Sequence, residues 1–223
     1  MNLSIVIPVY NEEDNINALL EDILNVFPNA EVIVVNDAST DKTLDLMRDF
    51  YDSHSINLRI LTNKRNQGHG YSVIRALRAA SAENILYIDA DRQISLWLTE
   101  ESKKYAIVSG HRIKRKDKLF RKVISFCLKM TILFRYGYYV KDANCPFKIY
   151  KKSAILPLLS KLPHTYIVPI AALEVLARKA GLKVITITTP HLPYNGIREG
   201  KLQSVNKVST RFFFDAFMEM ISL

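Results

Sequence analysis

At 223 residues with 48% hydrophobic side chains, the chain can bury a full core, which excludes a mainly disordered protein and suits one sizeable α/β domain. Its two cysteines, Cys127 and Cys145, have neither CxxC spacing nor a matching histidine cluster, which argues against a disulfide framework or a zinc site and fits a reducing cytoplasm. The formal net charge of +9 favours anionic partners such as nucleotide phosphates, nucleic acid or an acidic lipid surface, while the absence of a basic leader and of an apolar run of ~18 residues predicts a soluble or peripheral protein.

The first apolar run, LSIVIPV at Leu3 to Val9, reads as a buried strand, and Ile16, Leu19, Leu20, Ile23 and Leu24 then recur at helical spacing. EVIVV, Glu31 to Val35, is a second strand. After it, Ser39 or Thr40 offers an N-cap for a helix carrying Leu44, Met47 and Phe50. LRILTN (Leu58 to Asn63), the helical NQGHGYSVIRALRAA and the strand NILYIDAD repeat the alternation, which predicts parallel strands with helical crossovers. Further on, AIVSG from Ala106 to Gly110 reads as a strand. The run from Leu119 reads as an amphipathic helix that sets Lys and Arg against Val123, Ile124, Cys127, Leu128 and Ile132. IVPIAALEVLARKAG is a helix ending at Gly181, KVITITT is a strand, and residues 205–223 form a tail helix. The expected division is one domain, with 1–93 and 94–204 as its two halves and 205–223 as that tail.

Ligands of open α/β sheets bind outside the carboxyl ends of the strands. There the sequence gathers its polar punctuation: Pro8, Tyr10, Asn11 and Glu12; Asn36 and Asp37; Asn66 to Gly70; and Asp89 to Gln93. Asp89 and Asp91, one residue apart, repel each other unless a cation lies between them. With Gln93 they offer only oxygen ligands, which suits Mg²⁺ or Mn²⁺. The alternative is a helix cap at Asp91 and a chance strand end at Asp89. A nucleotide across this crevice needs a base contact; Asp37 is a suitable acceptor and Tyr10 can stack, unless the two are a turn residue and a loop anchor. Gly68 and Gly70 permit a close approach to the ligand.

IVIPVYNEE, VVNDASTDKT, NQGHGYSVIRAL, YIDADRQ, SGHR and DANCPFKIY, in this order and over most of the chain, resemble the family 2 glycosyltransferases, and among them the dolichyl-phosphate mannose synthase and polyprenyl-phosphate glycosyltransferase group. The resemblance implies a Rossmann-like, A-type (GT-A) α/β fold with a mostly parallel central sheet. It implies that Pro8, Tyr10, Glu12, Asp37, Gly68, Asp89 and Ala90 bind the nucleotide sugar. Asp89, Asp91 and Gln93 would hold Mg²⁺ or Mn²⁺ at the donor diphosphate. Asp142 would sit near the donor sugar, with Asp91, Asp142 and Arg112 as the catalytic set. Arg112, Lys148, Arg198 and Lys201 would contact donor or acceptor phosphate; Lys148 stands where many relatives have Arg, and Leu202 replaces the Ser of the RxxGxSK pattern.

The implied reaction is an inverting transfer from a UDP- or GDP-sugar to a polyprenyl or dolichyl phosphate at the cytoplasmic membrane face. A saccharide hydroxyl is the alternative acceptor, and it requires a base for which Asp142 is the candidate. A non-catalytic nucleic-acid module is the alternative of another class; no nucleic-acid motif accompanies the basic residues, so no nucleic-acid partner is expected. His111 to Lys122 carries seven Lys or Arg. With Phe126, Ile132, Leu133 and Phe134 following, the segment is either an ordinary surface helix or one that lies on an anionic membrane. A homo-oligomer is compatible with the sequence.

Overall fold

The computed structural model describes residues 2–92, 104–113, 119–190 and 210–223. Seven strands form one sheet in the order β3-β2-β1-β4-β6-β5-β7: β1 Leu3–Val9, β2 Glu31–Asn36, β3 Leu58–Thr62, β4 Asn84–Ile88, β5 Ile107–Ile113, β6 Phe147–Lys151 and β7 Val184–Pro190. The helices are α1 Ile16–Val26, α2 Thr43–Ser53, α3 His69–Ala79, α4 Leu119–Tyr136, α5 Lys152–Leu159, α6 Pro169–Lys179 and α7 Thr210–Ile221. The architecture is the expected mostly parallel α/β sheet.

Every residue of β1 and β2 is buried, because helices cover both faces of the sheet. The period of two along each strand divides the core. Val6, Ile33, Val35, Ile85 and Tyr87 pack with α3, α5 and α6 on one face. Ile5, Ile7, Val32, Val34, Leu86 and Ile88 pack with α1 and α2 on the other. Strands β1 to β4 run parallel, Val9 pairing with Asn36 and Asn36 with Thr62, so their carboxyl ends stand level at one edge.

The strand absent from the sequence reading is β6, which runs antiparallel between β4 and β5. It places DANCPFKIY against the sheet centre and brings β5 to the crevice. Helix α5 was also unanticipated; it carries Pro157 in its interior. Two local expectations are corrected. Neither Ser39 nor Thr40 caps α2, which begins at Thr43, where Asp41 Oδ1 accepts the Thr43 N–H at 3.0 Å. And α4 does not bury the predicted face: Ile132 is buried and Leu128 half-buried, but Val123 and Cys127 are exposed. Helix α6 ends as expected, with Gly181 at φ +71° in the left-handed region.

Candidate active site

The loop after β1 is laced to the loop after β2. Asn11, at φ +54°, donates its N–H to Ser39 Oγ at 3.0 Å and accepts the Thr40 N–H through Oδ1 at 2.8 Å. Glu12 donates its N–H to Thr43 Oγ1 at 2.9 Å and accepts from Asn15 Nδ2 at 2.7 Å. Ser39, Thr40 and Thr43 thus join two strand-end loops instead of capping a helix.

Asp37 is buried at the end of β2, where its own N–H bonds Val9 O at 2.8 Å. Its Oδ1 accepts from Asn63 Nδ2 at 2.6 Å and from the Gln67 N–H at 2.8 Å, and its Oδ2 accepts the Gly68 N–H at 2.8 Å. Asn63 Nδ2 also reaches Ser72 Oγ at 3.0 Å, and Asn63 Oδ1 accepts from Arg75. One carboxylate therefore fixes the Gln67–Gly68 turn, in which Gly68 adopts φ +92°. Pro8, Tyr10, Asp37, Gly68 and His69 line a pocket of about 150 Å³ there. Tyr10 is 43% exposed, so its ring face is available to a stacking base.

At the end of β4, Asp89 Oδ1 accepts from Tyr87 Oη at 2.6 Å and lies 3.1 Å from His69 Nε2. Neither contact uses Oδ2. Burial works against ionisation of Asp89; the charge and hydrogen bond of His69, the hydrogen bond of Tyr87 and the charge of Arg112 outweigh it and hold the carboxyl below its usual range. The charge and hydrogen bond of Asp89 raise the imidazole of His69, whose side chain is half-exposed. Burial and the Asp89 charge push Tyr87 far upward, so it stays protonated and donates. Ala90 is buried, and Arg92 turns the chain at φ +54° while its Nε and Nη2 bond Asp22 Oδ2 on α1 at 3.0 and 2.8 Å.

Oxygen donors at Asp89 and Asp91, with Oδ2 of Asp89 outside the His69 and Tyr87 bonds, fit a hard divalent cation. Among the described residues no three His, Cys, Asp or Glu side chains gather to hold an ion by themselves. A cation here would complete its shell from diphosphate oxygens and water. Gln93 lies outside the described residues, as do Arg198 and Lys201.

The structure pairs two residues that the sequence reading treated separately. Arg112, near the end of β5, grips Asp142 through two bonds, Nε to Oδ2 at 2.8 Å and Nη2 to Oδ1 at 3.0 Å. Asp142 is buried and Arg112 nearly so. Gly110 opens this corner, since a Cβ there would stand 2.9 Å from Cys145 Sγ and 3.0 Å from Phe147 O. Burial and the Asp142 charge push the Cys145 thiol up to about 11, which removes it as a nucleophile at neutral pH.

Lys148 is corrected. Its side chain is fully buried on β6, with Nζ 2.7 Å from Ser109 Oγ and 2.7 Å from Glu174 Oε2, and Glu174 Oε1 accepts from Arg178 at 3.0 Å. The ammonium is enclosed in a buried ion pair instead of being presented at the crevice surface. Sequence reasoning also missed His69, Tyr87, Asn63 and the Arg92–Asp22 brace. Only His69 carried a signal, standing between the two glycines singled out for ligand approach.

The sheet order and its flanking helices are those of the GT-A fold. Of solved structures, a glucosyl-3-phosphoglycerate synthase from Mycobacterium tuberculosis, in complex with Mn²⁺, UDP-glucose and phosphoglyceric acid, matches all of this chain and 80% of its own with TM-score 0.69 at 16% identity. A mannosyltransferase from Pyrobaculum calidifontis, in complex with GDP-mannose and Mn²⁺, matches 99% of this chain and 69% of its own with TM-score 0.62 at 17% identity. The chain belongs to glycosyl transferase family 2, whose family model matches residues 4–156. Among curated relatives, an undecaprenyl-phosphate 4-deoxy-4-formamido-L-arabinose transferase of Pectobacterium atrosepticum is 28% identical over 187 residues, covering 80% of this chain and 57% of the relative. A dodecaprenyl-phosphate galacturonate synthase of Rhizobium johnstonii is 32% identical over 166 residues, covering 70% and 49%. The chain spans about half the length of these curated relatives.

Proposed function

We propose that this protein transfers a sugar, with inversion, from a UDP- or GDP-sugar to a polyprenyl phosphate at the cytoplasmic face of a membrane. The observation that carries the acceptor is the two-bond Arg112–Asp142 pair, close enough to the Asp89 cluster for the Arg112 charge to act on it. A hydroxyl acceptor needs a free carboxylate base. Asp142, the candidate for that role, is instead bound along both oxygens to a guanidinium. A lipid phosphate is already ionised at neutral pH and needs no base. The curated relatives, named for undecaprenyl and dodecaprenyl phosphate, support the same choice.

Tyr10 stacks on the base, and Asp37 holds the Gln67–Gly68 turn against the nucleoside while its Oδ2 remains able to accept a ring N–H. Pro8 shapes the same wall, with Glu12 and Ala90 as further contacts to the nucleotide sugar. Asp89 and Asp91 would hold Mg²⁺ or Mn²⁺, which would offset charge on the diphosphate. His69 and Tyr87 fix Asp89 Oδ1, orienting the carboxylate before any ligand arrives. The acceptor phosphate oxygen forms a bond to the anomeric carbon from the face opposite the diphosphate. The bond from that carbon to the diphosphate oxygen breaks, and Arg112 supplies positive charge where phosphate oxygens gather. Relatives by fold solved with UDP-glucose or GDP-mannose and Mn²⁺ support the donor class and the cation.

The test is nucleoside-diphosphate release from a panel of UDP- and GDP-sugars with Mg²⁺ or Mn²⁺, with and without a short polyprenyl phosphate. Release that requires the lipid phosphate is expected. Release indifferent to it, or dependent on a saccharide, would refute the acceptor.

A further inference from the structure

Asp37 is 3% exposed, and three donors already hold its carboxylate. Asn63 Nδ2 and the Gln67 N–H share Oδ1, and the Gly68 N–H takes Oδ2. A carboxylate has about four acceptor positions. Among the described residues three of them are filled, so Asp37 offers a ligand one acceptor, on Oδ2. The adjacent Gln67 and Gly68 amides span both oxygens, which blocks the edge where two ligand N–H groups would bind side by side.

Asn63 saturates Oδ1, and Arg75 decides which way the Asn63 amide faces. A guanidinium can only donate; it bonds Asn63 Oδ1, so Nδ2 is the side that serves Asp37 and Ser72. Ser72 Oγ accepts from Asn63 Nδ2 at 3.0 Å and keeps its own proton to donate. Asn66 Oδ1 accepts the Gly68 N–H at 3.1 Å, which leaves the Asn66 NH₂ to donate. Asp37, Asn66 and Ser72 line one pocket with Tyr10. The pocket therefore sets a single acceptor among donors.

Uracil is the complement of that pattern, with one ring N–H, at N3, between two carbonyls. Guanine carries a ring N–H next to an exocyclic NH₂, and its two donors need two acceptors. Against Asp37 the second donor loses its water without gaining a partner. Cytosine and adenine have no ring N–H on this edge to offer Oδ2.

We propose that the donor nucleotide is UDP, and that Asn63 and Arg75 are positioning residues that select uracil by saturating Asp37 Oδ1. Neither lines the pocket; both act through Asp37. The inference deepens the function proposed above and rests on it, because it takes the pocket at Tyr10 and Asp37 as the seat of the base.

The experiment is calorimetric binding of UDP, GDP and inosine diphosphate to the full chain with Mn²⁺ and no lipid. The three ligands share their ribose and diphosphate, so the cation contributes equally to each, and inosine diphosphate differs from GDP only in lacking the exocyclic NH₂. UDP is expected to bind most tightly, and inosine diphosphate about tenfold more tightly than GDP, the cost of one donor buried without a partner. In Asn63→Ala an acceptor position opens on Oδ1, and the gap between inosine diphosphate and GDP is expected to shrink severalfold. General damage to the fold would weaken all three ligands alike and leave their ratios in place. GDP bound as tightly as UDP would overturn the proposal. So would equal affinities for GDP and inosine diphosphate, which would assign any preference for UDP to ring size, or an unchanged ratio in an Asn63→Ala variant with wild-type circular dichroism. If that variant does not fold, the wild-type ratios decide alone. Equal binding of all three removes this inference and leaves the transfer reaction standing, whereas absence of binding by all three overturns the nucleotide reading beneath both.

Discussion

Lys148 separates a structural from a catalytic role in a single residue. Its ammonium and the Glu174 carboxylate are both fully buried, 2.7 Å apart. Burial opposes charge on Glu174; the Lys148 charge and the hydrogen bonds from Lys148, Ser109 and Arg178 overcome it and hold the carboxyl low. Removing the lysine leaves a carboxylate in the core without its main counter-charge, a change that costs about 3–5 kcal/mol. For a domain of this size that lowers the unfolding midpoint by roughly 10 °C. Lys148→Ala should therefore be severely destabilised in thermal and urea unfolding. In Lys148→Met/Glu174→Gln the buried charges leave together, while the new amide can still bond Ser109 and Arg178. Most of the stability should return, and lipid-dependent turnover with it. A Lys148→Ala variant as stable as the wild type would refute the buried-pair argument. A stable double variant without turnover would return Lys148 to the phosphate site.

Three further outcomes are expected. Asp91→Asn should fold normally, with unchanged circular dichroism and thermal midpoint, but lose most of its activity and its Mn²⁺ binding measured by calorimetry; an unchanged rate would remove the cation from Asp91. Gly70→Ala should destabilise the protein by about 2 kcal/mol and weaken nucleotide binding, because its Cβ would stand 2.0 Å from Tyr166 O and push the start of α3, with His69, away from Asp89; wild-type midpoint and affinity would contradict this. Glu31 supplies an acid-sensitive brace between β1, β2 and β3. Burial opposes its charge, but hydrogen bonds from Ser4, Ser81 and Arg59 prevail and bring its pKa from 4.5 down to about 2. The folded form thus gives up the proton more readily than the unfolded one. The stabilisation is complete above the unfolded value of 4.5 and fades as pH falls from there toward 2, a loss of roughly 3 kcal/mol. Urea titrations at pH 6 and pH 3 should differ less in Glu31→Gln than in the wild type, and an equal difference would exclude this group.

The strands and helices of the first half were legible because each buried strand is a continuous β-branched run and each helix shows one apolar stripe. The site's location followed from where those runs stop. Legibility failed where a residue's neighbours come from distant sequence. Strand β6 was read only as a motif, since a strand with Lys148 at its second position looks half-exposed until Glu174 arrives from α6. In α4 the pattern contained two apolar stripes, and spacing alone could not say that the one through Ile132 faces inward. Asp142 looked like a free base because its partner Arg112 lies 30 residues earlier, on β5. His69 went unread beside Gly68 and Gly70 because a lone histidine gains meaning only when β4 sets Asp89 and Tyr87 against it.

The most direct measurement is mass spectrometry of the lipid fraction after incubating the protein with its nucleotide-sugar donor, Mn²⁺ and a short polyprenyl phosphate. The account predicts a lipid heavier by one glycosyl unit with its phosphate count unchanged, carrying an anomeric configuration opposite to that of the donor. An unmodified lipid under conditions where the donor binds and is consumed, or a product with retained configuration, would contradict it.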